Sequence, residues 1–258
     1  MEQGSLFNPA EPTLLPVQTD YGKVGRGASE AHYVLAENGS EYIMKGPLFV
    51  PDQPTVAANE WIAASLAEAL GLPLLDFRLL TMSGHQFFAS AWMSAGTFAP
   101  GIDAQLFGRC ANKQRAYEVV VFDAWCLNRD RHQENLVVRL PRRAGDPYLL
   151  ILNDHSHLLI CPGNPQTPEQ LMAQLDAGPC VRLQFVAESI VSEEHLDRAM
   201  RAIEGLSESL IRGVIAATPA SLLTQPYRAA YEEFLLERQR RIRAVMAGHR
   251  SIFPNLNA

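Results

Sequence analysis

The sequence predicts an α+β chain of two lobes. Residues 1–95 read as a small antiparallel sheet carrying one helix, and residues 96–258 as a mainly helical lobe. Three observations predict it. Turn dipeptides separate short apolar runs in the first hundred residues, as hairpins require. One long helical pattern, AANEWIAASLAEALGLP, interrupts those runs. Beyond SAGTFAPGID at 94–103, read as a hinge, helical periodicity dominates.

The elements follow in order. TLLPVQT (13–19) is a first strand, and YGKVGRGASE after it reads as a glycine-bearing turn. HYVLAE and EYIMK form a hairpin around Asn38-Gly39, a dipeptide suited to left-handed turn positions. The helix then ends at Gly71 and Pro73, the residues that stop helices. LDFRLLTM and HQFFASAWM make a second hairpin around Ser83-Gly84. In the larger lobe, QRAYEVVVFDAWCL (114–127) is an apolar helix running into the polar stretch NRDRHQEN. Two short strands follow, LVVRL and YLLILN, joined by PRRAGDP. Thr167-Pro168-Glu169-Gln170 reads as a helix start with a capping box, and Ser192-Glu193-Glu194 opens another helix. The last helix, about 227–248, aligns Tyr231, Phe234, Leu235, Ile242, Val245 and Met246 on one stripe. Arg238, Arg240, Arg241 and Arg243 are expected on its wet face.

Composition excludes several classes. Of the 258 residues 47% are apolar and 19% charged, which suits a globular chain and not a disordered tail or coiled coil. Lys+Arg total 22 against 28 Asp+Glu, so the net charge of -6 argues against a nucleic-acid-binding protein. No apolar run approaches the ~18 residues of a membrane span, and MEQGSLFNPAEP has no secretory pattern. Cysteines at 110, 126, 161 and 180 show no C-x-x-C spacing. They are expected to be reduced and mostly buried, in a cytoplasmic protein. Only Lys23, Lys45 and Lys113 are lysines, and Lys45 ends an apolar strand pattern, a costly place for an unpaired charge.

The chemistry concentrates in NRDRHQENLVVRL…YLLILNDHS. Asp130 and Asn135 stand five residues apart in a loop between helix and strand. Asp154 follows the second strand of the next hairpin, which folds it back toward Asn135. Two carboxylates and an amide oxygen are hard ligands that suit Mg²⁺. D-x-x-x-x-N followed by a hairpin and an aspartate is the pattern that kinases use for phosphoryl transfer. A helix C-cap with a solvated turn is the competing reading of Asp130 and Asn135 alone. His155 and His157, an H-x-H pair, are expected to serve in packing or in supporting the residues beside them rather than as metal ligands, with no third ligand at metal spacing.

On these motifs the sequence resembles the HipA-like kinases and, more remotely, the phosphatidylinositol kinases, which share a D-R-H-x-x-N loop. The resemblance implies one protein-kinase-like domain, with ATP and Mg²⁺ bound between its lobes. It implies Asp130 as catalytic aspartate with His132 beside it, where ordinary protein kinases have lysine. It assigns Asn135 and Asp154 to the metal and Lys45 to the ATP phosphates. Glu60 is the candidate partner of Lys45. Gly22, Gly25 and Gly27, ahead of Lys45, are candidates to admit backbone N–H groups to phosphates, and Ser29 is a candidate for self-phosphorylation. The function implied is a bacterial serine/threonine-protein kinase with a protein substrate and a regulatory or antitoxin-like partner. A small-molecule or lipid kinase, a nucleotide-binding pseudokinase and a hydrolase built on Asp154, His155 and His157 are the alternatives.

Overall fold

The computed structural model describes residues 12–24, 30–99 and 101–256. Strands β1 (Leu14–Lys23), β2 (His32–Ala36) and β3 (Glu41–Lys45) precede helix α1 (Val56–Ala69), and β4 (Phe77–Met82) and β5 (His85–Ala91) follow it. Both turn dipeptides form hairpins. Ser83 and Gly84 each take φ near +51° and +79°, the left-handed pair a two-residue hairpin requires.

The small sheet does more than pair antiparallel neighbours. Leu14–Pro16 of β1 pair in parallel with Leu79–Thr81 of β4, closing the order β1-β2-β3-β5-β4 into a barrel. Strand β1 is also longer than 13–19, because two bulges let it stay paired with β2 as far as Lys23. Gly22 therefore stands inside the strand, opposite Tyr33, and not in the turn that the sequence suggested. Its φ of +96° fits a bulge position open to glycine. Gly25, Gly27 and Ser29 lie outside the described residues.

Val34, Ala36, Tyr42, Met44, Leu80, Phe87 and Ala89 fill the barrel. Since strand residues alternate faces, Met44 points inward and Lys45 turns outward, toward α1. That helix is buried almost all round, with Ala57, Ala58, Ala63 and Ala67 fully covered. These alanines belong to the same apolar cluster as the larger lobe and not to the barrel core. Asn59 reinforces the attachment. Its Nδ2 donates to the carbonyls of Ser156, Leu158 and Ile160 at 3.0, 2.9 and 3.1 Å, and its Oδ1 accepts from the Tyr231 hydroxyl at 2.7 Å.

The rest of the chain builds on a three-stranded sheet, β6 (Phe98–Ala99), β7 (Leu136–Arg139) and β8 (Leu149–Leu152). Helices α2 (Ala104–Arg109) and α3 (Arg115–Trp125) lie between β6 and β7 in sequence. After β8 come α4 (Pro168–Met172), α5 (Gln184–Ser189), α6 (Glu193–Glu204), α7 (Glu208–Ala217) and α8 (Gln225–Ala247). The Thr167 hydroxyl caps α4 by accepting from Gln170 N–H, while Gln170 reaches back to Gln166 N–H instead of closing a box on Thr167. All six apolar residues of the α8 stripe are buried.

One arginine departs from expectation. Arg240, Arg241 and Arg243 are solvated and paired with carboxylates, but Arg238 is fully buried. Its guanidinium donates to the carbonyls of Gln174, Leu175 and Ala177 at 2.8–2.9 Å and to that of Ala124. A planar fork of donors can satisfy chain ends that an apolar side chain would leave bare. The four cysteines are free, and three are buried. No described helix is long and apolar enough to cross a membrane.

Candidate active site

Where β3 ends beneath the barrel, α1 and the segment after β8 converge on one lysine. Lys45 Nζ lies 2.6 Å from Glu60 Oε1 and 2.7 Å from Asp154 Oδ2. The second Glu60 oxygen accepts from His155 N–H at 2.8 Å. Asp154 takes a left-handed backbone, φ +56°, and its Oδ1 accepts from Ser156 N–H and Oγ–H at 3.1 and 2.6 Å. The local turn and the lysine together aim its carboxylate.

One cation thus faces two carboxylates, and the three titrate differently. Burial alone would push the Lys45 ammonium down, but Asp154 and Glu60 outweigh it and raise it above its ordinary value. Burial pushes the Glu60 carboxyl up to about 7 in spite of Lys45, with Asp154 adding to the rise. Burial would also raise Asp154, yet Lys45 and the Ser156 donors hold it well below the usual carboxylate range. Asp154 carries the fixed charge and Glu60 the adjustable one.

The loop 128–135 packs against this cluster. Asn135 Nδ2 donates to Asp130 O at 2.7 Å, and Asn128 Oδ1 accepts from Asp130 N–H at 3.0 Å. Asn153 N–H donates to Asn135 O at 3.2 Å, placing the end of β8 beside the loop. The Asp130 carboxylate is partly exposed. Arg182 lies 2.9 Å from its Oδ1, and His132 Nε2 stands 3.7 Å from its Oδ2.

Lys45, Glu60 and Asp154 therefore form one ion-pair cluster, and Asp130, His132 and Asn135 form the loop next to it. Gly22 is in the barrel strand β1, where its N–H donates to Asp20 Oδ1 at 2.7 Å. His155 packs, as expected. It is buried with Nδ1 3.2 Å from Arg131, and burial with that neighbouring cation pushes its imidazole well below its ordinary value. Among the described residues no group of His, Cys, Asp and Glu could by itself hold a metal ion.

The residues present fit a hard cation all the same. Because Asn135 commits its amide nitrogen to Asp130 O, its Oδ1 remains as an acceptor. Asp154 keeps 27% of its side chain exposed. An amide oxygen and one carboxylate are ligands that suit Mg²⁺, which draws its other ligands from water and phosphates.

Sequence reasoning missed Arg131, Asp123, Ser156 and Arg182. An aspartate within the apolar run EVVVFDAW was the available signal for Asp123, since a buried carboxylate demands a partner. Nothing local marked Arg182, which arrives from 52 residues downstream of Asp130 in a segment without regular structure.

The HipA-like kinase family matches residues 20–161 of the chain. A search of curated protein sequences returned no match. Among solved structures, the Helicobacter pylori proinflammatory kinase CtkA is similar with a TM-score of 0.64 at 15% identity, over 87% of this chain and 93% of that one. The Golgi casein kinase with Mn/ADP bound is similar with a TM-score of 0.52 at 11% identity, over 95% of this chain and 75% of that one. Both likenesses show a protein-kinase-like fold, barrel lobe first and helical lobe second. With the family match spanning more than half of its length, the chain belongs to the HipA-like kinases, phosphotransferases of the kinase type.

Proposed function

We propose that the chain transfers the γ-phosphoryl group of ATP, with Mg²⁺, to a serine or threonine hydroxyl of a protein in the cytoplasm. The observation that most supports this reading is the placement of Lys45 within 2.7 Å of both Glu60 and Asp154, beside the loop of Asp130 and Asn135. In the proposed roles, residues 1–95 and 96–258 are the lobes on either side of ATP. Glu60 steadies Lys45, which binds phosphate oxygens, and the glycines at 22, 25 and 27 let the backbone approach them. Asn135 and Asp154 hold the cation. Bound there, Mg²⁺ supplies positive charge that offsets the phosphates.

Asp130 orients the acceptor hydroxyl and takes its proton while the oxygen bonds to the γ-phosphorus. The bond from that phosphorus to the β–γ bridging oxygen breaks, and ADP leaves. His132 sits beside Asp130 and restrains its second oxygen. Arg182 must yield Oδ1 for the acceptor to reach it. The family membership also favours a regulatory or antitoxin-like partner.

Purified chain, Mg²⁺ and γ-labelled ATP in a cell extract test the reading. Label is expected on protein serine or threonine, and only in the presence of a divalent cation. Label confined to small molecules, or equal labelling with Asp130→Asn, would overturn it.

A further inference from the structure

Arg131 is the most heavily bonded side chain near the site, yet it touches none of the groups assigned to ATP or acceptor. It is 4% exposed, as is Asp123. The two form a two-pronged pair, Nε to Oδ2 at 3.0 Å and Nη2 to Oδ1 at 2.9 Å. Nη1 then donates to three backbone carbonyls, Asn135 at 2.9 Å, Asn153 at 2.8 Å and Asp154 at 3.1 Å. Asp123 in turn accepts from Asn128 Nδ2 at 2.9 Å, and Asn128 holds Asp130 N–H. One guanidinium thus ties the end of α3, the loop 128–135 and the turn after β8.

Two of those three carbonyls belong to Asn135 and Asp154 themselves. A point charge such as lysine could balance Asp123, but it could not hold so many acceptors at fixed angles. The arrangement is more than is needed to neutralise a buried carboxylate. It fixes the spacing of the two backbones that carry the Asn135 and Asp154 side chains.

Resting on the function proposed above, we propose that Arg131, braced by Asp123, is a positioning residue that sets the separation of Asn135 and Asp154 and so the affinity of the cation site. Groups that orient metal ligands from behind change metal affinity about 10–100-fold when altered.

The test is the Mg²⁺ concentration needed for half-maximal ADP binding, read by calorimetry without turnover, together with thermal unfolding. Arg131→Lys keeps the charge and loses the fork, and Asp123→Asn keeps the shape and loosens the brace. Both are expected to raise the Mg²⁺ requirement by about tenfold or more, while ADP binding without metal stays as in the parent. A lower melting temperature with an unchanged Mg²⁺ requirement would overturn the proposal, leaving a structural brace only. So would loss of the fold in both variants. Asp154→Asn is the control. If it leaves Mg²⁺-dependent ADP binding intact, the placement of the cation is wrong and the site reading itself fails. If it abolishes that binding while Arg131→Lys does not shift it, only the role of Arg131 fails.

Discussion

Replacing Lys45 by methionine keeps most of the side-chain volume and removes the only cation between Glu60 and Asp154 among the bonds described for either carboxylate. Removing one partner of a buried ion pair costs about 3–5 kcal/mol. Lys45→Met belongs at the lower end, about 3 kcal/mol at pH 7, because Asp154 retains solvent and Glu60 can take up a proton. The pH dependence is the sharper signature. In the parent, Glu60 is raised to about 7 from an ordinary 4.5, so the folded chain binds more protons than the unfolded chain between those values. That contribution to stability falls as pH rises and levels off above about 7. Without Lys45, which holds Glu60 down, one carboxyl of the pair stays protonated to higher pH. The decline then continues at about 1.4 kcal/mol per pH unit. The deficit of Lys45→Met against the parent, measured by urea unfolding at constant m-value, should be larger at pH 8.5 than at pH 6, by up to about 2 kcal/mol. Equal deficits at the two pH values would refute the coupling of these three groups.

Three further outcomes are expected. Asp130→Asn should bind Mg²⁺ and ATP near-normally while transfer falls by at least ~100-fold; parallel loss of both would make Asp130 a metal or structural residue. Arg182→Ala removes a half-exposed ion pair, so unfolding should shift by less than about 1 kcal/mol, while the KM for acceptor falls and that for ATP stays fixed. An unchanged acceptor KM would show that Arg182 does not stand in its way. Arg238→Met strips donors from four carbonyls, three of them at 2.8–2.9 Å. At about 1–3 kcal/mol for each acceptor left bare, a loss of at least about 4 kcal/mol is expected in denaturant unfolding; a loss under about 1 kcal/mol would mean that water replaces the guanidinium.

Much of this arrangement is written in local pattern. Asn38-Gly39 and Ser83-Gly84 specify hairpins because their backbone preferences act within four residues. Lys45 drew notice because an ammonium at the end of EYIMK needs an anion, and Glu60 was legible as the acid on the small-residue face of α1. The spacing of Asp130 and Asn135 and the hairpin before Asp154 made the loop recognisable. What escaped depends on distant partners. The closure of the barrel rests on three residue pairs between β1 and β4, more than sixty positions apart, and periodicity carries no record of such a pairing. Arg238 reads as solvated because its neighbours 240, 241 and 243 are; the approach of residues 174–177 and of Ala124 in α3 buries it. The Gly22 bulge likewise depends on β2 continuing alongside, which a glycine-rich stretch alone does not reveal.

The anchoring of α1 bears on how such a chain can be controlled. A kinase can be switched by swinging the helix that carries the glutamate partner of its lysine, which parts the pair and remakes it. Here Asn59, one residue before Glu60, is bonded to three carbonyls of the 156–160 segment and to Tyr231 of α8. Thr55 adds a bond to Ile160 O at 2.6 Å. An outward swing would strip all of these acceptors at once, at about 1–3 kcal/mol for each one left buried and unpaired. The helix is therefore a fixed abutment of the larger lobe, and parting Glu60 from Lys45 by moving it would mean breaking that whole set of bonds.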